Sequence, residues 1–161
     1  MNRLQRTLAV LIGILLLSTA DAHEGEDHGE QELVGGRVLG TIHFPTTTES
    51  EAAQDAFIRG MLLLHLFEYP FAEEEFRRAR EIDPDFVMAY WGEAMTHNHP
   101  IWDEQDPEKA YAVLQVLGAS PEARQSKTSS QKEKDYLAAL DVLYGDGDAA
   151  GKARRDREYM R

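Results

Sequence analysis

FAEEEFRRAREIDPDFVMAYW, residues 71–91, is the stretch that decides the fold. Ala72, Phe76, Ala79 and Pro84 follow one another at spacings of four, three and five, and Gly60 and Leu63 lie twelve and nine residues before Ala72. Small residues let two helices approach closely. Phe76 plugs the gap between them, and the proline starts a further helix. This spacing specifies a helix-turn-helix repeat unit.

The same residues carry a family resemblance. Gly60, Leu63, Ala72, Phe76, Ala79 and Pro84, with Tyr69 near the turn, resemble the tetratricopeptide repeat over a unit running from Ala53 to Phe86. Two positions depart from the family pattern. Ala56 takes the slot of an early bulky residue, with Phe57 displaced by one, and Arg59 stands where leucine is usual. A second unit starts after Pro84 with Tyr90 and Ala94 in register, and His97 to Asp106 interrupts it. The strings GTIHFPT, LLHLF and MAYWGEAMTHNHPIWD are also similar to the start of exported bacterial tetratricopeptide proteins of unassigned activity. The resemblance implies an all-α solenoid of antiparallel helix pairs, incomplete in this chain, and a binding role rather than chemistry. It further implies a concave groove lined by the first helices, with contacts from exposed positions of residues 49–67 and 85–97.

The N-terminus reads as a secretory leader. Arg3 and Arg6 precede the apolar run Leu8–Leu17, and Ala20-Asp21-Ala22 offers small residues at a cleavage site. A spanning helix needs about 20 apolar residues, so the run is short for one. The expected organisation is a leader at 1–22 and a disordered or extended segment at 23–48. TPR-like helix pairs follow at 49–117, a connector at 118–129 and further helices at 130–161, the last truncated. The expected location is the periplasm or exterior, without a stable membrane anchor after cleavage following Ala22.

The chain has no cysteine, which removes disulfides, thiolate catalysis and a lipidated cysteine. Its net charge is −12, although the tail from Ala149 is basic. An acidic surface repels nucleic acid and anionic lipid.

Local signals place the helices. Thr48-Glu49-Ser50-Glu51 has the form of a capping box and opens a first helix over about 49–67. Ala53, Ala56, Phe57, Gly60, Met61 and Leu64 share a face, and Leu62, Leu63 and Leu66 widen the apolar surface almost all round. Pro70 suits the first turn of the second helix. A third helix runs from Pro84 or Asp85 to Thr96, and a fourth from Asp106-Pro107 to Leu117. Ser130-Gln131-Lys132-Glu133 is a second capping box, opening a helix whose stripe is Tyr136, Leu137, Leu140 and Tyr144. Leu33–Phe44 reads as extended chain lying on the first helices, or a short strand.

Chemistry has few candidates. Glu93 and His97 share a helix face and His99 follows, which makes Glu93, His97 and His99 candidate metal ligands. The remaining ligands are missing, so no metal and no cofactor are expected, and His97 reads instead as a cationic cap at a helix C-terminus. His65 reads as a hydrogen-bonded core residue. His43 reads as a local hydrogen bonder, and His23 as a copper-chelating N-terminus or plain tail. No nucleophile motif or phosphate loop occurs, so an enzyme is not expected. Tyr69, Tyr90, Trp91 and Trp102 read first as inter-helix packing and second as ligand-facing rings. The expected function is protein or peptide binding by a scaffold. The alternatives are histidine-based metal handling and an N-terminal fragment of a longer repeat protein.

Overall fold

The computed structural model describes residues 33–34, 37–145, 147 and 151–160. Residues 1–22, read as a leader, and the rest of the chain before Leu33 lie outside them. Among the described residues the architecture is helical, with two short strand pairs. The order is β1 (Leu33–Val34), β2 (Arg37–Val38), α1 (Glu51–His65), α2 (Tyr69–Ile82), α3 (Val87–Met95), β3 (Asn98–His99), β4 (Glu104–Gln105), α4 (Pro107–Leu117), α5 (Pro121–Gln125), α6 (Gln131–Tyr144) and α7 (Lys152–Tyr159). A 3₁₀ turn, Pro100–Trp102, joins β3 to β4. No described helix is long and apolar enough to cross a membrane.

Adjacent helices pack as pairs: α1 on α2, α3 on α4, and α6 on α7. Successive pairs also touch, since α3 packs on α1 and α2, and α6 packs on α3 and α4. The interruption read at His97–Asp106 is the β3–β4 hairpin, in which Asn98 faces Gln105 and His99 faces Glu104. The second helix of that pair is therefore delayed rather than lost. The α6 stripe is covered as well: Leu137, Leu140, Leu143 and Tyr144 are all buried. The Tyr144 hydroxyl donates to the Ala94 carbonyl at 2.7 Å, and burial pushes its phenol pKa up.

The seam between the first three helices is close-packed. Gly60, Ala72, Phe76 and Ala79 are buried. A Cβ placed on Gly60 would lie 2.7 Å from the Phe76 ring. One placed on Gly92 of α3 would lie 2.3 Å from it. The ring thus fills a slot that two glycines keep open, one on each neighbouring helix. Leu63 and Ala94 are buried beside it. Pro84 does not start α3. It sits in the turn before it, where its carbonyl accepts the Tyr90 hydroxyl at 2.9 Å.

Helix starts depart from the expected boxes. Ser50, not Thr48, caps α1 by accepting from the Ala53 amide at 3.3 Å. Thr48 accepts from the Ser50 amide and donates to Asp83 at 2.6 Å. Ser130 caps α6 as expected, yet Glu133 does not reach back to it. Its carboxylate, 2% exposed, instead accepts from the Thr47 amide, the Thr47 hydroxyl and the Thr128 hydroxyl, each at 2.6 Å. These bonds satisfy a buried carboxylate that would otherwise be costly to desolvate. They also clip the segment 39–49, a strap, onto α6. Leu39 of the strap is buried, and the Phe44 carbonyl accepts from Gln54 at 2.9 Å. Both readings of Leu33–Phe44 are thus present, a short antiparallel strand pair and then extended chain.

Candidate functional site

The first helices leave part of their apolar surface open. Helix α1 was expected to be apolar almost all round and buried on more than one side. Leu63 is buried, but Leu62 and Leu64 are half-buried, and Leu66 is 54% exposed. The open surface forms a groove of about 770 Å³. Its floor is Met61, Leu62, Leu64 and His65 from α1, Trp91 and Met95 from α3, and Tyr136 from α6. The strap closes one side with Ile42, His43 and Phe44. The α1–α2 corner gives Phe67 and Tyr69, and the hairpin gives Asn98 and Pro100. The volume falls in the range of about 300–1,000 Å³ usual for ligand sites.

Helical periodicity explains the floor. Met61, Leu64 and His65 lie three and four apart, so they share one face, as do Trp91 and Met95. Phe57, on that side of α1, is fully buried and links the site to the core. Its ring lies 5.8 Å from Phe76, 5.4 Å from Phe86 and 5.6 Å from Phe44. Phe44 continues the ladder to Tyr136 at 5.8 Å, and Tyr136 meets Trp91 edge-on at 5.1 Å. Lys132 sets its ammonium 3.6 Å from the Phe44 centroid, a cation–π contact that helps hold the strap.

No aspartate, glutamate, lysine or arginine lines the groove among the described residues. The polar groups are His43, His65, Asn98 and the Tyr69 and Tyr136 hydroxyls. His65 is exposed rather than a core residue, although it is hydrogen-bonded: Nδ1 lies 2.7 Å from the Met61 carbonyl. A carbonyl only accepts, so Nδ1 carries the proton and, in the neutral ring, Nε2 is left as an acceptor. Burial raises the Tyr69 phenol pKa.

The metal candidates are not gathered. Glu93 is 3% exposed and turned to arginines, with Arg80 donating to both carboxylate oxygens and Arg77 at 3.7 Å. His99 stacks on Tyr69 at 3.9 Å, with Nε2 2.8 Å from the Thr96 carbonyl. No group of three or more metal-ligating side chains occurs among the described residues. The cationic reading of His97 is corrected. Burial lowers its pKa despite the Glu73 and Asp106 carboxylates nearby, which disfavours the cation.

The four aromatics divide. Tyr90 is packing. Trp91 is buried yet forms groove floor, Tyr69 lines the groove, and Trp102 is 54% exposed. Phe67 and Met95 fall within the spans 49–67 and 85–97 expected to give contacts, though neither is singled out there and Phe67 reads as the last residue of a helix; Asn98 was missed. No family model, no curated protein and no solved structure matches this chain.

Proposed function

We propose that the chain is a non-enzymatic scaffold of the tetratricopeptide-repeat type that holds a protein or peptide segment in this groove. The observation that carries the reading is the groove's floor, which comes from the first helix of each pair, α1, α3 and α6. The order of neighbours supports the repeat assignment. Helices α1 and α3 each pack on their own second helix and on the first helix of the next pair. The repeat signature supports it too, since Gly60, Ala72, Phe76 and Ala79 form the seam that such a unit requires. Large apolar surface left open beside a well-filled core is the usual mark of an interaction site. The leader sequence places this activity outside the cytoplasm in our reading.

A photo-crosslinking amino acid at Leu64 or Met95, introduced in the cell of origin, tests the proposal. Adducts to a polypeptide are expected from both positions, and none from Val116, exposed on α4. Groove positions that give no polypeptide adduct, or no more than Val116 gives, would overturn it.

A further inference from the structure

The Glu68 amide donates to the Leu63 carbonyl at 3.0 Å and the Phe67 amide to the Leu64 carbonyl at 3.1 Å, a helix stop that sets Phe67 where glycine is usual. Its φ is 61°, in the left-handed region that glycine and asparagine tolerate and that a bulky side chain avoids. Strain of this kind is ordinarily offset by burying the side chain, yet Phe67 is 49% exposed. Its ring rests on other rings, with Trp102 edge-on at 5.9 Å and Tyr69 at 6.4 Å. Trp102 is itself 54% exposed. It is followed directly by Asp103, the other non-glycine residue with positive φ among the described residues, at 53°. Two left-handed residues therefore hold two exposed, touching rings at one end of the groove. Leu66 and Ile101 extend the patch, 54% and 63% exposed. The turn itself ends the helix, so the feature to explain is the exposed aromatic placed there, and a contiguous exposed apolar patch marks a contact surface.

The strap side of the groove shows what this surface accepts. There an extended segment of the chain lies on the same helix face, with the Phe44 ring seated between Phe57 and Tyr136. The open groove is continuous with that seat, because Tyr136 lines both. Its lining carries no aspartate, glutamate, lysine or arginine among the described residues, in a chain of net charge −12. Within the groove no fixed charge would compensate the desolvation of a charged partner, and the acids next to the platform, Asp103 and Glu104, face solvent.

The geometry points to a partner segment that is extended, uncharged where it docks, and aromatic at one position, with that ring seated on the Phe67–Trp102 platform. This rests on the peptide-binding reading above and names the chemistry of its partner. Trp102 comes from the inserted hairpin and Phe67 from the helix corner, so neither belongs to the repeat signature. Edge-to-face packing against two fixed rings selects an aromatic side chain over an aliphatic one of equal area.

A random-peptide library displayed on phage, panned against the full chain, provides the probe. The expected result is enrichment of peptides that carry an aromatic residue and lack charge beside it. Their binding should fall by about tenfold or more in Phe67→Gly and in Trp102→Ala. The unfolding midpoint of Phe67→Gly should not drop, because glycine accepts the positive φ. Enriched peptides that are charged, or that bind both variants as well as the parent, would overturn the platform and leave the scaffold reading standing. A library that yields no binder overturns both.

Discussion

Phe76 and Phe67 stand nine residues apart, one inside α2 and the other at the corner before it, yet the first is fully enclosed and the second half exposed. Phe76 has an ordinary helical backbone, and two glycines clear space for its ring. Phe67 has a strained backbone and no enclosure. The contrast separates two uses of one residue type. A ring that serves the fold is given room and covered, whereas a ring that serves contact is held out against its own backbone preference. Burial of Phe76 stabilises the chain, and exposure of Phe67 takes stability away.

The comparison breaks first at Phe76. Phe76→Ala leaves a cavity between Gly60 and Gly92 and should cost about 3–5 kcal/mol in denaturant unfolding. Gly92→Leu should cost about 1–3 kcal/mol by overfilling the same slot. A loss below about 0.5 kcal/mol for Phe76→Ala would place the ring at the surface and erase the distinction.

Next in size is the clip. Glu133→Leu strands the Thr47 amide and two hydroxyls, and should cost about 1–3 kcal/mol. Hydrogen exchange should show faster exchange in the strap, with the Phe76 seam unchanged. Acceleration spread evenly over the chain would mean that the strap is part of the seam rather than a separate layer.

His97 lies between the two regions, at the end of α3, and its effect is a matter of pH. Its folded pKa is below the unfolded one, so its contribution is fully present above about pH 6.5. That contribution is lost as pH falls through the lowered folded value. The unfolding free energy of the parent should therefore fall more steeply below about pH 6.5 than that of His97→Asn. Parallel curves would mean that the ring is not buried as neutral imidazole.

The smallest effect is expected at Phe67. Phe67→Gly relieves the positive φ but adds chain entropy to the unfolded state. The net change should lie between zero and a gain of about 1 kcal/mol. A loss of more than about 1 kcal/mol would show that Phe67 is core after all.

The seam was legible because its spacing is local. Gly60, Ala72, Phe76 and Ala79 lie within two helices, and helical periodicity converts their positions into a face. Gly92 escaped because it is judged by what inserts opposite it, and the inserting ring comes from another helix. The paired helices were legible, and so were the interruption at His97–Asp106 and the helix that follows it, Pro107–Leu117. The platform was illegible for a different reason. No residue-type rule places phenylalanine in the left-handed region, so Phe67 read as the last residue of a helix. His65 read as core because its neighbours are apolar, and that same apolar stretch is the groove floor. The clip was hidden by distance along the chain.

That distance has a consequence for how the molecule is made. Thr47 and Glu133 are 86 residues apart. A chain emerging N-terminus first at about 5–20 residues per second completes the α6 partner on the order of ten seconds after the strap appears. During that interval Phe44 lacks its contact with Tyr136, and Thr47 lacks its bonds to Glu133. Local helix pairing finishes far sooner, since contacts between near neighbours close quickly. The nascent protein therefore passes through a stage with its helix pairs formed and a sticky flank uncovered. That stage is when a holding chaperone would engage it.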